Sequence, residues 1–350
     1  MRLNSHSYIA AVPVIFSGML QAAPVLAQSA NQTDAVVDRA LTVYVGGPTA
    51  PWEDRAKAFE QKYPDIKVAI KGGFSNVLDK EIDRQLADKK LETDAAILQT
   101  LQDFVRWKSE GRLLAYAPNG FESIDPSFRD ADGAYYGVQV VAVPYMYNTQ
   151  LVKPADVPNS ASDFLKDQFH GKAVTPYPAD DDVTLWLFYK VVRKYGWEYM
   201  DKYMANKPNF IQGHLGSQRS VASGQNWVAI DSIFNTTEPM KKAGQPVDSH
   251  FSTVDPTPIW PLTAAIFKDA PHPHAAKLFM SFLLEPEQQA LTGTWSPRTD
   301  LAPPAGYKPI FSYLVTNDYK EFLVNQQQVA ELRKRFEQYT GPVINAGGVR

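Results

Sequence analysis

The chain has 350 residues, too many for one small core and the length of two domains of ordinary size. Hydrophobic residues make up 44% and charged residues 21%, a globular balance that excludes a disordered chain and a membrane channel. A net charge of -3 gives no basic field to draw the chain to nucleic acid, and the absence of cysteine excludes disulfides, thiolate metal sites, thiol nucleophiles and a lipid-bearing cysteine.

Residues 1–27 read as a signal peptide. Arg2 supplies the positive start, Tyr8 to Leu20 is apolar, and Val25-Leu26-Ala27 has small residues where a signal peptidase reads, so cleavage is expected after Ala27. The apolar run is shorter than the ~20 residues a membrane span needs. Gln28–Asp34 follows as a polar leader. The expected product is exported and soluble.

The first strand is Leu41-Thr-Val-Tyr-Val45, ended by Gly46-Gly47-Pro48. A helix with Ala56, Phe59 and Tyr63 at helical spacing follows, then a strand at Ile66–Ile70. A helix is predicted from about Val77 to Ala87, a strand at Ala95–Leu98 and a helix from Asp103 to Glu110. Strands alternating with helices over short turns predict parallel βαβ units. Val138 to Asn148 is a long apolar run holding Pro144, which argues against a central strand and for a crossover. A second α/β pattern comes next: strands at Ala173–Thr175 and Val228–Ile230 and a helix over Val183–Tyr195. Pro256–Phe267 reads as the crossing back. Helices are predicted at Ala275–Leu284, Glu287–Leu291 and Tyr319–Gln338.

The expected fold is α/β in two lobes, each a mixed sheet flanked by helices, joined by a hinge of two crossings. Lobe 1 spans 36–143 plus 257–305. Lobe 2 spans 148–252, with the helix 319–338 packed on it. A cleft between lobes is a favoured ligand site.

Five stretches carry a resemblance: Val43–Ala58, Glu110–Leu114, Asp132–Thr149, Ala222–Ile230 and Ala270–Gln288. In their order and spacing the chain resembles the type II periplasmic solute-binding proteins of ABC importers, the group with ferric-iron, polyamine, thiamine and phosphonate binders. The resemblance implies a soluble periplasmic monomer. It would close on a small solute and deliver it to an inner-membrane ABC permease, with no cofactor, no catalytic step and no nucleic acid. Ferric-binding members carry paired tyrosines after the strand matching Val228–Ile230. Here the stretch reads Asp231-Ser232-Ile233-Phe234-Asn235, so tyrosine-ligated iron is not expected.

Candidate ligand-binding residues lie at strand ends and turns, where open α/β sheets bind ligands. In lobe 1 they are Gly47, Thr49, Trp52, Ser75, Asn76 and Thr100; glycine lets a ligand approach the backbone, while Ser75 and Asn76 could equally be helix caps. In lobe 2 they are Tyr177, Asp180, Asp182, Asp231 and Phe234, with Tyr145 and Trp260 near the crossings. One aspartate of Asp180-Asp181-Asp182 suffices to cap a helix; in relatives the matching loop faces the ligand, and three carboxylates there would attract a cation. The aromatic faces agree with that. Arg298 and Arg219 point the other way, toward a phosphate or carboxylate. An organic cation such as a polyamine is therefore placed ahead of a phosphonate or sugar phosphate, with Fe3+ third. A sensory receptor would share the fold, and a secreted hydrolase is the remaining class, although no catalytic motif is present. No metal site is expected: His272-Pro-His274 reads as structural with no carboxylate cluster beside it, and His170, His214 and His250 as isolated.

Overall fold

A computed structural model describes residues 38–344, so the predicted signal peptide and leader lie outside the described residues. Two mixed sheets form, each flanked by helices, which is the predicted α/β architecture.

The first sheet contains β1 (Ala40–Gly46), β2 (Lys67–Gly73), β3 (Ala95–Leu98), β4 (Tyr136–Ala142), β10 (Thr257–Ile266) and β11 (Val315–Thr316). Its order is β11-β10-β3-β1-β2, with β4 also on β10. β1 is parallel to β2 and β3, as short βαβ units require, while β10 runs antiparallel to β3 and β4. Helices α1 (Ala50–Lys62), α2 (Ser75–Ala87) and α3 (Leu101–Ser109) link these strands. α8 (Pro273–Leu283) packs on β1 and β10, and α9 (Pro286–Ala290) follows it. Phe59 of α1 meets Phe279 and Phe282 of α8 edge-on at 5.2 and 5.4 Å.

The second sheet orders β7 (Asn209–Phe210), β6 (Ala173–Thr175), β8 (Val228–Ala229), β5 (Tyr145–Asn148) and β9 (Val247–His250). Its helices are α4 (Asp182–Tyr195), α5 (Glu198–Ala205), α6 (His214–Ala222) and α7 (Phe234–Lys242).

The run 138–148 is split by Pro144: β4 pairs in the first sheet and β5 in the second. The chain returns through residues 251–256 into β10, all ten residues of which are buried. β10 is a central strand despite Pro258 and Pro261, and its register shifts between Leu262 and Thr263. Asp255 fixes this return. It accepts from Tyr145 Oη (3.0 Å), the Ala161 N–H (2.6 Å), Lys194 Nζ (2.6 Å) and Tyr195 Oη (2.8 Å). Burial opposes its charge, but these donors outweigh burial and hold the carboxyl below the usual range.

The predicted tail helix is two helices, α10 (Tyr319–Val324) and α11 (Gln326–Thr340). Asn325 interrupts it, and its side chain caps α11 through the Gln328 N–H. α10 touches α3, α4 and β10, and α11 packs on α4 and α5. Among the described residues no helix is long and apolar enough to cross a membrane.

Phe336 is fully buried, with its ring against Phe188 and Trp197 at 6.0 and 5.0 Å. Phe336→Ala is expected to cost about 3–5 kcal/mol of stability, read from urea unfolding. An unchanged midpoint would show that α11 does not contribute to the cooperative core.

Candidate functional site

The carboxyl ends of β1, β2 and β3 carry the lobe-1 candidates. Gly47 has φ +94, and its N–H bonds to Gly73 O at 2.8 Å, so that donor is occupied. Gly46 is required by packing: a Cβ there would lie 2.3 Å from Ser75 Oγ. Ser75 Oγ donates to Gln99 Oε1 (3.0 Å) and accepts the Gln99 N–H (3.1 Å), tying α2 to the end of β3. The Thr49 methyl sits against Gly72, and Asn76 is exposed. Trp52 belongs to the core under the Arg55 guanidinium, 4.8 Å from its ring. Thr100 is buried before α3, and its Oγ1 has no partner.

In lobe 2, residues 177–182 form a turn at the start of α4. The Tyr177 carbonyl accepts the Asp180 and Asp181 N–H groups at 3.0 and 3.2 Å, and its buried ring lies 5.4 Å from Phe210. The three aspartates divide the work. Asp181 is the cap, accepting the Val183 and Thr184 N–H groups at 2.9 Å. Asp180 accepts from Gln212 Nε2 at 3.1 Å. Asp182 pairs with Arg333 of α11, which also donates to Ala179 O. Burial pushes the Asp182 carboxyl up, against the pull of Arg333.

Asp231 follows β8 and is fully buried. Neither carboxylate oxygen accepts a hydrogen bond, an arrangement costly unless a charge compensates it. His214, the first residue of α6, provides that charge. Its Nε2 lies 2.9 Å from Asp231 Oδ1, in ion-pair range but off the line of a hydrogen bond, and its Nδ1 lies 3.5 Å from Asp181 Oδ2. Burial disfavours the imidazolium, but the Asp231 and Asp181 charges outweigh burial and push His214 up to about 9. His214 is therefore not isolated. Its partner is 17 residues away in sequence, at a contact that only the packing of α6 against β8 creates. The amide atoms of Asn235, Thr175 Oγ1 and Ser217 Oγ also lack partners.

Other candidates are held elsewhere. Tyr145 is bound to Asp255 at the crossing. Phe234 packs with Trp295 and Tyr307 at 4.6 and 4.9 Å, bringing α7 against the chain after α9. Trp260 is buried 5.4 Å from Tyr319, and its indole N–H has no partner. Arg298 forks onto Asp300 at 2.9 and 2.6 Å and donates to Leu284 O. It lines a cavity of about 220 Å³ on lobe 1 with Phe128, Trp295 and Phe311, apart from the aspartates. Arg219 is exposed on α6.

His272-Pro-His274 has two carboxylate neighbours, each in a structural role. Buried Asp94 accepts the His272 N–H at 2.6 Å, and Asp38 accepts the His274 N–H at 2.8 Å. They satisfy the free N–H groups at the start of α8. Among the described residues no three histidine or carboxylate groups gather as a metal site.

A profile of the family described as bacterial extracellular solute-binding protein matches residues 54–311. This chain belongs to that family. No curated relative matches it in sequence. Solved structures share its fold. A substrate-binding protein of an ABC transporter from Agrobacterium tumefaciens superposes with a TM-score of 0.75 at 14% identity, covering 91% of this chain and 99% of that one. AfuA from Actinobacillus pleuropneumoniae, with exogenous fructose-6-phosphate bound, gives 0.72 at 18%, covering 86% and 99%. Iron-bound HitA from Pseudomonas aeruginosa gives 0.71 at 21%, covering 85% and 99%. The two-lobed periplasmic-binding-protein architecture is thus shared, and Arg333 lies beyond the segment that the family profile covers.

The His214 pair sets a pH dependence. Its folded pKa lies above the ordinary value, so its stabilisation is complete below about pH 6.5 and is lost as pH rises through about 9. Ligand-free protein is expected to lose on the order of 1–3 kcal/mol between pH 6 and 9, and His214→Gln to flatten that slope. Urea melts across this range check it; identical slopes in the two proteins would remove the pair from the account.

Proposed function

We propose that the chain is the periplasmic solute receptor of an ABC importer, and that its solute is a small organic cation. The observation that carries the charge preference is Asp231, a fully buried carboxylate at a strand's carboxyl end with no hydrogen-bond donor on either oxygen. An ammonium group would give it the donor it lacks. Asp180, Asp181 and Asp182 stand at the neighbouring helix start, and the cations near them, His214 and Arg333, are already paired. HitA and AfuA carry iron and a sugar phosphate in their structures. Here β8 is followed by Asp231, Phe234 and Asn235 with no tyrosine, and Arg298 is engaged by Asp300.

The reading includes a mechanism. Lobes 36–143 plus 257–305 and 148–252 move as bodies about the two crossings, contacts to both lobes favour the closed form, and a permease recognises it. The process needs no covalent step and no cofactor.

A thermal-shift panel on residues 28–350 tests this: putrescine, spermidine, thiamine, a phosphonate, a sugar phosphate and Fe3+. A ligand at ~100 times its Kd stabilises by ~2.7 kcal/mol. An amine is expected to raise Tm, and Asp231→Asn to abolish the rise. A response confined to phosphorylated compounds or iron would reverse the charge preference and keep the receptor role. Arg298→Ala is expected to lower Tm without changing the response.

A further inference from the structure

His214 stands between two carboxylates. Its Nδ1 lies 3.5 Å from Asp181 Oδ2 and its Nε2 lies 2.9 Å from Asp231 Oδ1. A neutral imidazole carries a proton on one nitrogen only, so one lone pair would then face a carboxylate oxygen. Both nitrogens are served only when the ring is an imidazolium. The side chains of Asp181, His214 and Asp231 are 29%, 15% and 0% exposed. The three therefore run from solvent inward, and the ring separates Asp231 from the surface.

This imidazolium is a poor partner for three reasons. Its residue opens α6, where the helix dipole disfavours a cation, and no side chain caps that start. Its Nε2 is off the line of a hydrogen bond, so Asp231 gains a countercharge but no donor. The ring is also buried, which opposes its charge; Asp231 and then Asp181 outweigh that burial. The titratable groups on neighbouring elements are engaged elsewhere or uncharged. Asp180 accepts from Gln212, Asp182 pairs with Arg333, Glu238 of α7 accepts from Tyr307 Oη, and Lys241 pairs with Asp248. Tyr145 of β5 donates to Asp255, and burial keeps Tyr203 of α5 a neutral phenol. The proton on His214 thus answers to Asp181 and Asp231.

We propose that His214 is an internal stand-in for the solute's ammonium group: the amine takes its place between Asp181 and Asp231, and the imidazolium gives up its proton to solvent as it does so. The amine arrives protonated and donates N–H groups to the two carboxylates. The His214 ring becomes neutral, and its N–H is the one bond that breaks. An ammonium can turn its hydrogens onto the Asp231 oxygens, whereas the ring is fixed off line at a helix start. The inference rests on the cationic reading above and adds the residue that guards the site when no solute is present.

Competition with a proton gives a signature that a structural role lacks. Affinity rises with pH as the imidazolium titrates toward about 9, then levels off until the amine itself deprotonates near its own pKa of ~10.4.

Calorimetric titration of residues 28–350 with putrescine and with spermidine is the test. Binding at pH 8.5 is expected to be about tenfold tighter than at pH 7. At pH 7.5 the heat should differ between phosphate and Tris, reporting the released proton. The His214 ring signal in NMR spectra should move from its charged to its neutral position when amine is added at that pH. His214→Gln is expected to bind with equal affinity at both pH values and to release no proton. The buffer heats and the ring signal are read on the unaltered protein, so they decide the question even where the variant does not fold. Amine binding that releases no proton, with His214 still charged, would overturn the stand-in role and leave the cationic reading standing. Proton release that persists in folded His214→Gln would assign the proton to another group and overturn the role as well. Binding of neither amine at either pH would overturn both.

Discussion

Asp255 sits on the return crossing and gathers donors from β5, the segment after it, and the end of α4. A buried carboxylate is costly unless its lone pairs are filled, and here they are filled only when the crossing lies against lobe 2. That requirement places residues 251–256, and with them the start of β10. β10 then pairs with β3, β4 and β11 and closes the first sheet. The outward crossing has a simpler cause. Pro144 has no N–H to give a ladder, so neither sheet continues through it.

Once both sheets are fixed, helix starts follow the carboxyl ends of β1, β2, β3 and β8. Helix starts attract negative charge, and this chain has placed aspartates at several of them. Asp181 caps α4, Asp103 lies in the first turn of α3, and Asp231 precedes α7. The anion affinity of a bare helix start is thereby used up internally. What remains is surplus negative charge, partly balanced by His214 and Arg333, and the proposal of a cationic solute is built on it.

Much of the fold was legible because periodicity and punctuation are local. Alternation in Leu41–Val45, helical spacing at Ala56, Phe59 and Tyr63, and the glycine stop at Gly46-Gly47 each report on neighbours within a few residues. Short elements were harder to read. β7 and β11 have two residues each, and α7 contains Pro239, so none carries a full period. The same limit applied to β10, whose two prolines argue against a central strand that burial and pairing nonetheless impose. The predicted tail helix ran through Asn325, where a side-chain cap rather than any break in periodicity divides it.

Residue type pointed to strand ends and to the Asp180–Asp182 run as candidates, because both are visible in one dimension. It could not assign partners. Arg298 read as a clamp, and its fork is filled by Asp300 two residues away. Ser75 and Trp52 read as ligand contacts, and hydrogen bonding and packing occupy them. His214 carried no signal, since its significance lies in Asp231 on another element. The sequence by itself determined the export signal as an expectation, the α/β class, the two crossings and the family, all of which follow from local pattern and order along the chain. Only the tertiary structure decided which carboxylates are buried, which are already paired and which still lack a donor, because burial and pairing are properties of the space between elements.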